Sequence, residues 1–404
     1  MLRDRPGLLV ALLCLAQVLG MAGNATFPAL IPTFRLDWGL ANAEAGWLGG
    51  LYYAGYVAAV PLLVAITDAR DARGIYVASS LLGSLALVAF AFLAHDFWSA
   101  LPLRLLSGVG LAGTYMVGLR LLSDRLPADW QSRGVGWYTA HFSIGASLSV
   151  LLAGEIARRL GWPAAFWIAG LLTAASGFLV LLVTRPLATR PSRPRQGHPL
   201  DLRPALRNRP ALGYNLAYAC HVWELFGFRA WLVAFLVFAL ALQGRDGLFG
   251  ASATQLATLL LLLGMPASVA GSYLAERVGR RRLVTLVLCA SAALAAGLGF
   301  AAAAPVGLLL VLLVAYSLLV MADSGALTGG AVLLAEPERK GATMAVHALL
   351  GFAAAFVSPV VFGQVLDLAG GDRSSTAWGL AFAVLGAGAI VGPLFLKALS
   401  RRAG

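Results

Sequence analysis

The chain has 404 residues, 60% of them hydrophobic and only 12% charged, with a formal net charge of +12. A soluble domain carries roughly a quarter charged residues, so this composition excludes a water-soluble globular protein and places the chain in lipid. Its three cysteines, Cys14, Cys220 and Cys289, fall in apolar runs without metal-ligand spacing, as packing residues do, so neither a metal centre nor a disulfide framework is expected.

A helix crosses the hydrocarbon core with about 20 apolar residues. Twelve such runs follow one another, at about 8–32, 46–67, 75–94, 99–122, 134–157, 163–184, 211–241, 254–275, 283–304, 306–334, 341–366 and 377–399. They lack the period of two of a membrane barrel and are too long for its strands, which leaves helices as the spanning solution. The first run follows Arg3 and Arg5 as a leader peptide would, but it continues past Phe27, and we read it as span 1. Spans 9 and 10 form one apolar stretch that no single helix could fit into a bilayer, and Pro305 and Gly307 mark the hairpin that divides it.

In span 1, Asn24 and Thr26 precede Pro28, and span 2 carries Tyr52, Tyr53 and Tyr56; all are candidates to line a cavity, although a tyrosine packs as readily as it lines. Span 2 ends on Asp68-Ala-Arg70-Asp71-Ala-Arg73-Gly74. Span 4 holds Arg104, about six residues in, where it either snorkels to the outer interface or serves within the membrane. Span 5 opens with Arg133-Gly134 and carries His141, and its far end places Glu155 beside Arg158 and Arg159 as a surface ion pair. Between spans 6 and 7, residues 184–210 hold seven arginines, six prolines and one acid. Such a stretch cannot build a core and reads as a linker against anionic headgroups. No aromatic residues interleave its arginines, so no nucleic-acid role is expected.

Span 7 reads Tyr214-Asn215-x-x-Tyr218-x-x-His221-x-Trp223-Glu224-x-x-x-Phe228-Arg229. An ionisable group at membrane depth needs a partner, a cavity or a task. His221 stands three residues before Glu224 on nearly the same helical face, so a local pair is expected, whereas Arg229 points about 140° away. A proton carrier needs a carboxyl that exchanges its proton near neutral pH, and burial is the general route to one; the alternative for Glu224 is a purely structural pair. Span 8 leads into Gly271-Ser-Tyr-Leu-Ala-Glu276-Arg277-Val-Gly279-Arg280-Arg281-Arg282. Asp323 lies in span 10, about 16 Å from that span's inner end by helical rise. Span 11 opens with Lys340-Gly341 and brings in His347 from the same side, where the two could meet or each merely bridge helices.

With both termini cytoplasmic, 22 lysines and arginines fall on the cytoplasmic side and five on the other, which fixes the orientation. Trp38, Trp47, Trp98, Trp162 and Trp378 then stand at the outer ends as an interfacial belt. The arginine-rich composition suggests a bacterial inner membrane.

Two marks recur at half-length spacing. The acidic-basic clasp after span 2 returns 208 residues later after span 8, and Arg133-Gly134 returns 207 residues later as Lys340-Gly341, each followed by His-x-x-x-Gly at His141 and His347. Internal duplication of a membrane domain is a mark of secondary transporters. The chain therefore reads as an N-terminal six-helix bundle (1–184), a basic linker (185–210) and a C-terminal six-helix bundle (211–404), an all-α integral membrane fold of twelve helices related by a pseudo-two-fold repeat.

The segment 271–282 resembles the loop motif G-x-x-x-D-R-x-G-R-R of the major facilitator superfamily, with Gly271, Glu276, Arg277, Gly279 and Arg280 in register. The first copy is degenerate: Asp68 fits, the basic partner is displaced to Arg70, and the glycine is missing. Arg104-x-x-x-Gly108-x-Gly110 resembles the arginine-glycine motif of proton-coupled members, and Gly161-Trp162-Pro-Ala-Ala-Phe166 resembles G-W-R-x-x-F without its arginine. The Gly-Pro of many drug antiporters is absent from span 5, as are the nitrate-porter and sugar-porter signatures.

The resemblance implies alternating access between two halves, a gating role for Asp68, Arg70, Asp71, Arg73 and the second copy, and a role for Arg104 in proton transfer or substrate binding. It favours efflux by antiport, with uptake by symport as the alternative. Glu224, Asp323, His221, Arg104 and Arg229 are the coupling and substrate candidates, with Asn24, Tyr53, Tyr56, His141 and His347 lining the path. No P-loop is present, so ATP is not the expected energy source and no cofactor is expected. The expected partners are a small-molecule substrate, protons and membrane lipids, for a monomer. A polytopic membrane enzyme and a non-transporting receptor are the remaining readings; the first lacks a catalytic constellation, and the intramembrane acids argue against the second.

Overall fold

A computed structural model describes residues 5–187, 202–336 and 339–399. The linker segment 188–201 and the terminal Arg3, Arg401 and Arg402 lie outside the described residues. Eleven helices among the described residues are long and apolar enough to cross a membrane: Asn42–Ile66, Ala72–Leu93, Phe97–Ser123, Ala128–Leu160, Trp162–Val183, Arg209–Leu242, Ala253–Val278, Arg280–Leu298, Val306–Leu334, Lys340–Leu368 and Ser375–Leu399. They are spans 2 to 12. Span 1 is broken into Pro6–Gly20, Thr26–Ala29 and Ile31–Trp38. Between spans 9 and 10 a 3-10 turn at Phe300–Ala303 leads to Pro305, the hairpin that the sequence requires.

Local chemistry sets the ends. Asp96 accepts from the backbone N–H of Ser99 at 2.8 Å and completes a capping box at the start of span 4, and Ser252 with Gln255 does the same for span 8. Between spans 7 and 8 the one strand pair among the described residues joins Gly247–Leu248 to Ala251–Ser252. Its turn has Phe249 and Gly250 at φ of 52° and 78°, the signature of a tight two-residue hairpin.

Leu85, Phe92, Leu182, Leu259 and Val311 are exposed on the helix exteriors, as lipid-facing residues should be. Small residues line the contacts between helices, where close backbone approach replaces the hydrophobic drive that lipid cannot supply. A methyl group at Gly110 would press on the Gly83 backbone, and one at Gly108 would run into the Tyr52 carbonyl.

The residues form two compact units, Met1–Thr33 with Leu51–Pro199, and Phe34–Gly50 with Leu200–Gly404. In the first, Leu13, Cys14, Tyr76, Val117, Leu121, Tyr138 and Val180 share a core, and Tyr76 and Ser176 hydroxyls meet at 2.7 Å. In the second, Trp231, Phe235, Phe362 and Phe382 cluster around Trp378. Trp378 is therefore fully buried and donates its indole N–H to the Asp372 carbonyl at 2.7 Å; it belongs to this core and not to an interfacial belt. The segment 34–50 packs with 200–404 although the sequence places it in the first half. The Asp367 carboxylate accepts from the backbone N–H groups of Asn42 and Ala43 at 3.1 and 2.8 Å and from the Asn42 amide at 2.8 Å, and Arg35 pairs with Asp372.

Candidate functional site

Spans 7, 9, 10 and 11 of the second unit gather most of its buried polar side chains. Span 7 repeats a polar residue every third position, at Asn215, Tyr218, His221 and Glu224, so successive members stand about 60° apart and the four wind about half-way round the helix. Span 10 meets span 7 where span 10 is interrupted. Its helix stops at Ala322, Asp323 takes φ −95° and ψ −11°, and a new helix starts at Ser324. Gly271 of span 8 touches the Ala322 carbonyl at this point, so closely that any side chain would collide with it.

Asp323 is fully buried, and His221 Nδ1 lies 2.8 Å from its Oδ1. The contact has ion-pair distance but not hydrogen-bond alignment, and neither carboxylate oxygen accepts an aligned hydrogen bond from a described residue. Glu224 is turned elsewhere: its Oε1 accepts from the Tyr316 hydroxyl at 3.1 Å and its Oε2 from Ser291 at 2.8 Å. Ser291 Oγ also lies 3.2 Å from the Leu288 carbonyl. That second acceptor lets the site hold both states of the acid. The serine donates to a charged Glu224; toward a protonated one it accepts, its own hydrogen going to Leu288.

His347 continues the chain of polar groups. Its Nδ1 is 3.1 Å from Asn215 Oδ1, its Nε2 is 3.3 Å from Thr328 Oγ1, and its ring stacks on Tyr218 at 3.7 Å between centroids. Asn215 donates its amide to the Thr343 carbonyl at 3.3 Å, which turns Oδ1 toward the histidine and assigns the hydrogen to Nδ1. Tyr218 also faces His221 at 5.8 Å. Two buried acids and two buried histidines thus lie around span 7.

Sequence reasoning places Glu224, Asp323, His221 and His347 at depth, and all four are buried there. Their pairings differ from expectation. His221 meets Asp323 and not Glu224, because hydroxyls on spans 9 and 10 already satisfy Glu224, and His347 meets Asn215 and Thr328 in place of Asp323. His141 donates its Nδ1–H to the Trp137 carbonyl of its own helix, 2.7 Å away, and does not mirror His347. Arg229 approaches the Met321 sulfur at 3.9 Å and the Phe226 ring at 5.5 Å. Ser291 gave no sequence signal, being a single hydroxyl in an apolar run; Asn215, Tyr218, Tyr316 and Thr328 were visible only as polar residues of spans 7 and 10.

The first unit holds a different cluster. Arg104 is fully buried, so it does not snorkel; its guanidinium stacks 4.9 Å from the Tyr52 ring and 5.5 Å from Phe27. Asn24 donates to the Tyr53 hydroxyl at 3.4 Å, and Tyr56 is buried nearby in span 2. The break in span 1 is held by Ser149, which donates to the Ala22 carbonyl at 2.7 Å and accepts from the Ala25 N–H at 2.9 Å. No acid stands here at the position matching Glu224: 207 residues earlier is Gln17. Because a lysine ammonium cannot stack flat on two rings, Arg104→Lys should lower the thermal stability of the purified protein by about 1 kcal/mol, measurable by its melting shift against wild type.

Of the two loop motifs, the first forms a clasp. Asp71 caps span 3 by accepting from the Arg73 N–H at 3.1 Å, pairs with Arg125 at 2.9 Å, and accepts from the Leu187 N–H at 2.9 Å. Arg73 donates to the Leu181 carbonyl and the Thr184 hydroxyl. Asp68 lies 3.7 Å from Arg120, and Arg70 is exposed. Arg125, which counts in the sequence only as a loop charge, is thus the clasp's cation. In the second motif Glu276 and Arg277 are exposed with no ion pair to a described residue. Gly279 takes φ +90° to turn the chain into span 9, a conformation that favours glycine.

Burial alone would push the Asp71 carboxyl up, but the Leu187 N–H, the Arg125 guanidinium and the Arg73 N–H together hold it below the usual carboxylate range. Its stabilisation is therefore complete above pH ~4, the ordinary aspartate value, and is lost as pH falls through the lowered folded value. Asp71→Asn should cost about 1–2 kcal/mol at neutral pH, and the gap between variant and wild-type melting temperatures should close on acidification.

The sequence profile of the Major Facilitator Superfamily matches residues 13–348. Among curated proteins the chain is 22% identical over 284 residues to the niacin transporter NiaP of Acinetobacter baylyi, covering 62% of this chain and 63% of that one. It is 25% identical over 270 residues to a probable 4-methylmuconolactone transporter of Cupriavidus pinatubonensis, covering 65% and 62%. These alignments span less than two thirds of either relative. Among solved structures, the fold is similar to an inward-facing, occupied bacterial homologue of the human lysosomal transporter Spinster (TM-score 0.75, 14% identity, 98% of this chain and 95% of that one). It is equally similar to a nucleoside transporter, NupG (TM-score 0.76, 14% identity, 97% and 99%). A family match over most of its length establishes that the chain belongs to the Major Facilitator Superfamily.

Proposed function

We propose that the protein is a proton-coupled secondary transporter of a small organic solute, working by alternating access as a monomer in a bacterial inner membrane with both termini in the cytoplasm. One observation carries the coupling: two fully buried carboxyls, Glu224 and Asp323, each with a partner able to accommodate gain or loss of a proton. An acid at membrane depth that served packing alone would be expensive to keep, and Ser291 gives Glu224 a second arrangement at no loss of hydrogen bonds. His221 takes or returns the proton of Asp323, with Tyr218 and His347 extending the polar path along span 7. The names of the relatives, niacin and 4-methylmuconolactone transporters, support a small organic solute. The inner-membrane orientation rests on the 22-to-5 distribution of lysine and arginine, and Asp71 with Arg125 is the clasp that would open and close on the cytoplasmic side.

Purified protein in liposomes loaded with a pH-sensitive dye, challenged with a panel of organic acids, bases, amino acids and sugars, tests this reading. A solute gradient should move protons through wild type, and Asp323→Asn should abolish that movement. Protons moving against the solute flow identify antiport and hence efflux, the direction the motifs favour; protons moving with it identify symport. Solute transport without proton movement would overturn the coupling.

A further inference from the structure

One cavity in the second unit plays no part in the site above. It has a volume of about 740 Å³ and lies where span 7 begins, span 9 begins and span 10 ends, lined by Tyr214, Arg280, Arg281, Arg282, Leu286 and Leu333 among others. Two adjacent glycines let its side chains approach span 10 closely. The Tyr214 ring lies against Gly330, where a side chain would collide with it, and the Arg280 side chain crosses Gly329 with Nε 3.6 Å from the position a methyl group would take. The Asn208 amide, just before span 7, donates to the Leu334 carbonyl at 2.8 Å and closes the rim.

The chemistry of the lining is two-sided. Arg280, Arg281 and Arg282 bring three guanidinium groups, and none of them pairs with a carboxylate among the described residues. Leu286 and Leu333 stand beside them, 58% and 64% exposed. A soluble anion would need the arginines but would gain nothing from leucine walls. A phosphate on an acyl chain needs both, since guanidinium groups fork onto phosphate oxygens while the leucines cover hydrocarbon. The cavity also sits where membrane-spanning helices begin and end, and basic pockets between membrane helices at their ends are where lipid phosphates bind.

We propose that this cavity is a binding site for an acidic phospholipid, its phosphate held by Arg280–Arg282 and the Tyr214 hydroxyl and its acyl chain laid along Leu286 and Leu333. The site does not depend on proton coupling, so its failure and that of the coupling are separable.

Native mass spectrometry of the purified protein tests it, with dioleoyl phosphatidylglycerol and dioleoyl phosphatidylcholine as lipid probes and glycerol 3-phosphate as soluble competitor. Wild type should retain phosphatidylglycerol at least tenfold more tightly than phosphatidylcholine, and millimolar glycerol 3-phosphate should not displace it. Arg280→Gln/Arg281→Gln should erase that preference, and Arg280→Lys/Arg281→Lys should restore most of it. Arg70→Gln/Arg133→Gln, which removes two exposed arginines elsewhere, should leave it intact. A preference that survives the first pair, or falls equally with the control pair, would overturn the site, and displacement by glycerol 3-phosphate would show a soluble-anion site instead. Should the glutamine pair fail to fold, Leu333→Asp on the exposed wall decides. It should lower phosphatidylglycerol affinity at least fivefold, and an unchanged affinity would overturn the proposal.

Discussion

Glu224→Gln should abolish proton-driven transport while leaving the protein folded and able to exchange substrate. The amide replaces the carboxyl atom for atom: its oxygen accepts from the Tyr316 hydroxyl, and its N–H donates to Ser291, whose own hydrogen goes to the Leu288 carbonyl. The side chain then mimics the protonated acid permanently. Loss of a positioned proton-transfer group typically costs about two orders of magnitude, and we expect a fall of that size in solute accumulation driven by a pH gradient, with equilibrium exchange of labelled solute near wild type. Glu224→Leu separates this chemistry from stability. It leaves the buried Tyr316 hydroxyl without its acceptor, at about 1–3 kcal/mol for an unsatisfied buried group, so it should melt earlier as well as fail to transport.

Gly271→Val should be the most damaging single substitution at the break in span 10. Its side chain would meet the Ala322 carbonyl, which is backbone and cannot rotate away. Spans 8 and 10 must then separate, or Asp323 must leave His221. Overpacking of this kind costs about 1–3 kcal/mol, and the displacement of Asp323 should remove coupling even where the protein still folds. Gly297→Ala is the matched control: nothing lies within 4 Å of its added methyl group, and it sits in the last turn of its helix, Arg280–Leu298, so its melting should stay near wild type. Thermal melting and proton flux measured on both variants separate the close contact at Gly271 from a general effect of losing glycine. In the sequence Gly271 is a letter of a loop motif; in the structure it is a helix-packing residue beside the candidate site.

Gly271 illustrates how far the sequence could be read. The twelve spans were legible because lipid permits few backbone solutions, and apolar runs of helix length announce them. The depth of Glu224, Asp323, His221 and His347 followed from position along those runs. Which of these groups touch was not legible, since a pairing such as His221 with Asp323 depends on the turn of span 10 about a break that a short Asp-Ser-Gly run only hints at. Hydroxyl partners such as Ser291 and Tyr316 carry no pattern at all. Arg104 shows the reverse case: its position in the chain allowed either snorkelling or burial, and only the flanking rings of Phe27 and Tyr52 decide for burial. Trp378 misled because a tryptophan near a span end packs inward as readily as it anchors at an interface. The clasp at Asp71 was half visible, its acid in the motif and its cation, Arg125, 54 residues away.

We propose that protons cross with the solute by way of Glu224. The most direct measurement is net proton flux, read by an internal pH dye, when an outward or inward gradient of a transported solute is imposed across liposomes containing wild type or Glu224→Gln and no pH gradient is present at the start. A solute-dependent pH change is expected with wild type and none with the variant, although labelled solute still exchanges through both. An equal pH change through both proteins, or solute movement through wild type with no pH change, would contradict that proposal.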